Sequence, residues 1–396
     1  MRVLFLMIAF PDVQKNPNLY TDIALEFVKD GHDVYVTTVL EKKFDRETAL
    51  QKESRLNVLR VKCGDLFNVG FIKKGISTIT LPCRFIQAIK KYWPEIPFDL
   101  VIYPTPPITF NKVVKYIKKR EHCQSYLILR DIFPQNAKDM GLMNNDLLFK
   151  YFRRIEKDLY DFSDYIGCMS QKNIDYILSH NNLSKSKCEL LPNWKKINRP
   201  GFEESVNYRT KYGLNNKFVA IFGGVIGIAQ ELEFLLELAR YYRSRDDIVF
   251  LIIGEGNQKG KLQEIINKEK LSNFIMKERI PSSEFESLVR QCDLGLINLS
   301  RNFTIPNSPS KVLDYFEAGL PVLASIDKNT DFGQFLEEAK VGLWSLTGDI
   351  ETYRRNFEIL LNNKELRKEL GKNGRDFLAK NLTVERTYRT IIKHFV

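Results

Sequence analysis

The chain has 396 residues, 44% of them hydrophobic and 12% aromatic, which suits two globular domains of ordinary size and excludes a disordered chain. Its net charge of +11 is uneven: residues 1–200 hold 32 Lys/Arg against 22 Asp/Glu, the remainder 28 against 27, so a surface for polyanions belongs to the first half. No apolar run approaches the roughly 18 residues needed to span a bilayer, the six cysteines (Cys63, Cys83, Cys123, Cys168, Cys188, Cys292) form no C-x-x-C pair, and the four histidines form no H-x-x-x-H pair. Reduced cysteines, a cytoplasmic setting and no protein-built metal site are therefore expected.

Along the chain, residues 3–10 form a continuous apolar run. It could imitate the apolar part of a signal peptide, but its flank holds one Arg and no small-residue cleavage site follows, so a buried first strand is expected. A helix is expected over 19–29, where Leu19, Ile23, Leu25, Phe27 and Val28 have helical spacing, and Gly31-His32-Asp33 turns the chain into a strand over 34–39. Further strands are expected over 56–61, 100–103, 126–129, 165–169 and 189–191, with helices over 109–119 and 147–162. This rhythm predicts a parallel sheet covered on both faces. Residues 192–201, rich in Pro and charge, read as a linker. A second series follows, with strands over 217–222, 248–253, 274–276, 294–297, 321–324 and 341–345 and helices over 350–362 and 364–380. The reading is an α/β chain of two doubly wound, Rossmann-like domains, 1–198 and 199–383, facing a cleft, with an amphipathic helix over 384–396 packing back on the first. Ligands belong at the carboxyl ends of the strands. Pro11-Asp12-Val13-Gln14 follows the first strand where a dinucleotide dehydrogenase would carry G-x-G-x-x-G, which speaks against that class.

The most informative stretch runs from Asn307 to Val322 (NSPSKVLDYFEAGLPV). Ser308 reads as an N-cap, Pro309 as the first helical residue and Gly319 as the residue that ends the helix. A helix start at Ser310 and Lys311 would hold a phosphate, with the Lys adding a full charge. Asp314 lies four residues after Ser310 on the same face, about 6 Å along the axis, where a carboxylate can take two ribose hydroxyls. The alternative is a well-capped helix with a solvated Asp and Lys.

In order, Gly31-His32-Asp33-Val34, Pro192-Asn193-Trp194, Phe222-Gly223-Gly224-Val225-Ile226-Gly227, Ile252-Ile253-Gly254-Glu255-Gly256 and S-P-S-K…D-Y-x-x-A-G-x-P-V make the chain resemble the family-four glycosyltransferases of the GT-B fold, over nearly its whole length. Within that family it is most similar to the branch that builds bacterial capsule, O-antigen and related polysaccharides. The resemblance implies transfer with retention of anomeric configuration and without a bound metal. It also implies a donor diphosphate facing Gly223, Gly224, Gly227, Gly254 and Ser308–Lys311 (Ser308, Ser310 and Lys311 among them), and Asp314 in the place of a ribose-binding Glu. The glycines are otherwise those of an ordinary βα turn. Two positions depart from the pattern. Pro306 replaces a Glu, and Ile226 and Gln230 stand near the usual Arg and Lys of the diphosphate clamp, leaving Lys311, with Arg301 as a second cation, to substitute. In the first half, Leu129-Arg130-Asp131-Ile132-Phe133-Pro134 falls where many relatives carry a His-Asp pair. Asp131 then lines the reacting sugar or acceptor, and Arg130 joins Lys311 in meeting charge on the leaving diphosphate. As an alternative, Asp131 is an N-cap or an Arg-paired carboxylate.

The segment from Phe71 to Trp93 mixes Lys73, Lys74, Arg84, Lys90 and Lys91 with apolar and interfacial aromatic residues, Trp93 among them. It suits an anionic membrane surface beside a polyprenyl-diphosphate-linked or other glycan acceptor, on the inner face of the cell membrane. Its alternative is a core helix with a basic outer face, through Phe85, Ile86 and Ile89. No nucleic-acid module is recognisable. The expected activity is transfer of a hexosyl or N-acetylhexosaminyl group from a nucleotide sugar, with no cofactor. A UDP-N-acetylhexosamine epimerase of the same fold and a scaffold without catalysis are the other readings.

Overall fold

The computed structural model describes residues 1–67, 69–197 and 206–396; the linker positions 198–201 lie outside the described residues. The chain divides into two units, Met1–Pro192 with Val384–Val396, and Asn193–Thr383.

The first unit contains β1 (Arg2–Met7), α1 (Leu19–Lys29), β2 (Asp33–Glu41), β3 (Ala49–Glu53), β4 (Leu56–Cys63), α2 (Phe71–Tyr92), β5 (Leu100–Pro104), α3 (Asn111–Glu121), β6 (Gln124–Leu129), α4 (Gln135–Asp139), α5 (Asp146–Phe162), β7 (Tyr165–Cys168), α6 (Gln171–His180) and β8 (Cys188–Leu190). The strand order is β3-β4-β2-β1-β5-β6-β7-β8, parallel except for the antiparallel edge strand β3. β1 and β5 are buried on both faces, as their unbroken apolar runs predict. α1 starts with a capping box: the Asn18 side chain accepts from Tyr20 and Thr21 N–H while Thr21 Oγ1 accepts from Asn18 N–H, which sets Tyr20 in the first turn.

α2 is a helix whose Phe85 and Ile89 are buried, so its apolar half packs inward. Pro82 lies within it and lacks the N–H that would bond the Thr78 carbonyl four residues back. Thr109 Oγ1 supplies the missing donor at 3.0 Å. Trp93, expected at a membrane surface, is instead 2% exposed and packs edge-on against Tyr35 and Phe98. It follows the last turn of α2, where the chain folds under the sheet. Lys73, Lys74, Arg84, Lys90 and Lys91 are exposed.

The second unit contains α7 (Tyr208–Lys211), β9 (Phe218–Val225), α8 (Glu233–Tyr241), β10 (Ile248–Glu255), α9 (Lys259–Glu269), β11 (Phe274–Lys277), α10 (Ser282–Arg290), β12 (Leu294–Asn298), α11 (Val312–Ala318), β13 (Val322–Ile326), α12 (Phe332–Glu338), β14 (Gly342–Leu346), α13 (Ile350–Asn362) and α14 (Lys364–Asn381). Its six parallel strands run β11-β10-β9-β12-β13-β14, so the order reverses between β9 and β12. Alternate residues of β9 feed two cores, Val219 and Ile221 on one face and Ala220 and Phe222 on the other. The expected linker is in part core: Asn193, Trp194 and Lys195 are buried in this unit.

The last helix, α15 (Val384–Ile392), rejoins the first unit and buries Val384, Thr387, Tyr388 and Ile391, spaced i, i+3, i+4 and i+7. Tyr388 stands edge-on to Phe27, and its hydroxyl bonds Asp30 and His32 Nε2 (2.9 Å to the latter). His394 stacks on Tyr165 and bonds Glu189, which also holds Lys393 and the Tyr126 hydroxyl. Replacing Tyr388 by Phe leaves the packing but removes both bonds; thermal unfolding should show a loss of about 1–2 kcal/mol.

Candidate functional site

In the second unit the site is built where the strand order reverses, at the carboxyl ends of β9 and β12. Tyr315, fully buried on α11, ties the two strands: its hydroxyl lies 3.2 Å from the carbonyls of Ile221 and Leu296 and accepts the Gly223 N–H at 3.3 Å. The glycines divide by what surrounds them. A Cβ at Gly223 would strike the Phe285 ring at 2.1 Å, and one at Gly254 would strike the Gly224 carbonyl at 1.9 Å. These two therefore serve close packing that supports the loop. Gly224 is different: its φ is +139°, which only glycine adopts easily, it is exposed, and a Cβ there would lie 3.4 Å from Lys311 Nζ. Gly227 is extended, with Gln230 Oε1 at 3.3 Å from the place of its absent Cβ.

Lys311 thus comes to the glycine turn from a distant part of the sequence. Its ammonium stands 3.9 Å from the centroid of the Phe222 ring, and no carboxylate among the described residues pairs with it. Burial disfavours its charge and lowers its pKa to about 7. Phe222 holds the cation by its ring face, a contribution of about 1–2 kcal/mol.

The helix start differs from the expected one. α11 begins at Val312, and Ser308 makes no cap; Val312 and Leu313 N–H instead close a tight turn onto the Pro309 and Ser310 carbonyls. Pro306 to Pro309 belong to no helix or strand and are held from outside: Asn193 Nδ2 donates to the Ser308 carbonyl at 3.0 Å and Thr330 Oγ1 to the Asn307 carbonyl at 2.6 Å. Gly319 ends the helix in the left-handed conformation, as its sequence position predicts. Asp314 is not a solvated carboxylate, because its Oδ1 bonds Lys195 Nζ at 2.5 Å. Arg301, the second expected cation, is held by Glu231 at 2.6 Å.

In the first unit Arg130 and Asp131 follow β6. The Arg130 N–H donates to Thr105 Oγ1 at 3.1 Å, where the Thr105-Pro106 and Pro106-Pro107 peptides are both cis. Burial pushes the Asp131 carboxyl above its ordinary range, against the pull of Arg130 and Lys74. Burial likewise raises the Tyr20 hydroxyl, which feels both Arg130 and Asp131. Tyr20 and Thr105 carry no motif signal of their own, whereas Phe222 opens the glycine motif. Lys195 does stand two residues after the Asn of the Pro192-Asn193-Trp194 piece. Among the described residues no group of three or more His, Cys, Asp or Glu is placed to hold a metal ion.

Two doubly wound parallel sheets on one chain are the GT-B architecture, and known proteins share it. The structure superposes on Anabaena HepE in complex with UDP-glucose with a TM-score of 0.72 over 100% of this chain and 99% of that one, at 14% identity. More particularly, residues 205–377, most of the second unit, match the profile described as Glycosyl transferases group 1. Among curated proteins the chain is 20% identical over 247 residues to the probable glycosyltransferase WbjE of Pseudomonas aeruginosa, 62% of this chain and 61% of WbjE. It is 27% identical to the putative colanic acid biosynthesis glycosyl transferase WcaI of Escherichia coli K12, over 37% of each chain. The chain thus spans about three fifths or less of the curated relatives it matches.

Lys311→Met separates stability from binding. Between about 7 and the ordinary lysine value the unfolded chain holds this proton and the folded chain does not, so wild-type stability rises with pH across that interval. The variant should therefore melt higher by about 5 °C at pH 6–7, with the gain fading towards pH 10, as read by calorimetry. An anion beside Lys311 favours its charged form. Binding of a diphosphate should take up a proton near pH 8 and weaken above it, as measured by titration calorimetry in buffers of different ionisation heat.

Proposed function

We propose that the protein is a glycosyltransferase that moves a hexosyl or N-acetylhexosaminyl group from a UDP-sugar to a lipid-linked glycan. In this reading it retains anomeric configuration, uses no bound metal, and acts in assembly of a capsule or O-antigen type of bacterial polysaccharide. The observation that carries the nucleotide-sugar reading is the unpaired Lys311 ammonium beside the bare backbone of Gly224, at the strand-order reversal of a group 1 glycosyltransferase domain. A diphosphate leaving group develops negative charge as the glycosidic bond breaks. A half-buried cation already in place meets that charge with little reorganisation. HepE, of the same fold, was crystallised with UDP-glucose, and WcaI is named for colanic acid synthesis; both support the donor and pathway class.

On the acceptor side, Asp131 receives the proton of the attacking hydroxyl or steadies positive character at the anomeric carbon, with Arg130 beside it. The exposed face of α2 carries Ile76 (61% exposed) and Ile79 among Lys73, Lys74, Arg84, Lys90 and Lys91, and docks on anionic lipid where the acceptor is anchored. No helix among the described residues is long and apolar enough to cross a membrane.

A panel of UDP- and GDP-sugars tests the donor reading: UDP should raise the melting temperature of the wild type and not that of Lys311→Met. Failure of every nucleotide to bind would remove this reading, and release of an altered free sugar without acceptor would favour the epimerase instead. Asp131→Asn should fold with equal or higher stability, since burial opposes the charged carboxyl, and lose transfer by about 100-fold or more with UDP affinity unchanged. Sedimentation with phosphatidylglycerol vesicles, against phosphatidylcholine alone, reads the α2 surface; Lys90→Glu with Lys91→Glu should weaken it.

A further inference from the structure

Lys195 has a charge environment that stability alone does not require. It is 7% exposed, and its Nζ lies 2.5 Å from Asp314 Oδ1, 2.7 Å from Glu286 Oε1 and 2.9 Å from Glu317 Oε2. Arg290 lies 4.0 Å from Glu317, so among the described residues two positive and three negative side chains meet there. Burial works against the Lys195 charge, yet the three carboxylates outweigh it and hold the ammonium above its ordinary value. A buried ion network of this kind is commonly no more stabilising than well-packed apolar side chains.

Placement gives the network a purpose. The Lys195 N–H donates to the Leu382 carbonyl at 2.9 Å, and Lys195 pairs with Thr383 in a parallel bridge, so its backbone is fixed. Asn193, two residues earlier, holds the Ser308 carbonyl. The two side chains grip the turn that carries Lys311 on either side of it, one before and one after. Of the three carboxylates, Asp314 is the most exposed, at 30% of its side chain against 13% and 9% for Glu286 and Glu317. Only its Oδ1 is taken by Lys195.

We propose that Lys195 is a positioning residue of the nucleotide site: it anchors Oδ1 of Asp314 so that Oδ2 accepts hydroxyls of the ribose. This rests on the nucleotide-sugar reading and adds the group that makes ribose legible to the site. Lys311 answers to the diphosphate, and Lys195, through Asp314, answers to the sugar of the nucleoside.

The test compares UDP with 2′,3′-dideoxy-UDP, which lacks both hydroxyls and keeps the diphosphate. Wild type should bind UDP about ten-fold or more tightly than the dideoxy compound. The double variant Lys195→Met with Glu286→Gln removes one positive and one negative charge, so the cluster keeps its formal balance and the unit its fold, checked by circular dichroism and melting. It should bind the two nucleotides within about three-fold of each other, with its affinity for the dideoxy compound close to wild type. Full discrimination in the double variant, equal loss of both affinities, or a wild type that binds both compounds equally would each overturn the proposal. A wild type that binds neither would overturn the nucleotide reading on which it rests. Failure of the double variant to fold would itself show the network to be structural, and so would also overturn the proposal.

Discussion

An ammonium group without a carboxylate partner is costly to hold against an aromatic ring, and the carboxyl ends of β9 and β12 are arranged around that cost. Lys311 lies over Phe222, and the residue it faces across the turn, Gly224, has no side chain to share the space. The nearby acids do not relieve it, because each has its own cation: Asp314 is held by Lys195 and Glu231 by Arg301. The result is a half-buried ammonium that no carboxylate among the described residues neutralises, as the proposed diphosphate site requires. Stability is lowered by it, which is the usual price of a preorganised site.

The surrounding packing exists to keep that geometry. Tyr315 stitches β9 to β12 beneath the loop, Phe285 fills the space under Gly223, and Gly254 lets β10 approach the Gly224 carbonyl. The glycines of the two motifs therefore have two kinds of work. Gly223 and Gly254 are glycines because protein fills the space of their side chains, whereas Gly224 is one because of its backbone angle and its cationic neighbour. The first unit shows the same economy: Thr109 supplies the hydrogen bond that Pro82 withholds from α2, leaving the outer face of the helix free to carry its basic residues.

Much of this was legible along the chain. Periodicity placed α1 and α13 at their observed ends, and every strand of the two sheets except β3 to within three residues. An amphipathic final helix was expected over 384–396, and α15 spans Val384–Ile392. The misreadings have physical causes. Ser308 has the right chemistry for a cap, but the Asn193 side chain holds its carbonyl and the helix begins only at Val312. Trp93 lies in a basic, aromatic segment, yet the turn after α2 carries it under the sheet. α6 and the edge strand β3 were missed because one is short and polar and the other mostly exposed, leaving little hydrophobic pattern to read.

The sequence by itself determined the two βα series, the glycine turn, the position of Lys311 and the acidic residue that follows it, because these depend on local periodicity and on residue chemistry over a few positions. Which charges remain available was decided only by the tertiary structure. Asp314 and Arg301 look as free as Lys311 in one dimension. Folding pairs the first two with Lys195 and Glu231, 119 and 70 positions away, and leaves Lys311 against a ring. Electrostatic pairing is a matter of ångströms between side chains, and local sequence spacing does not carry that distance.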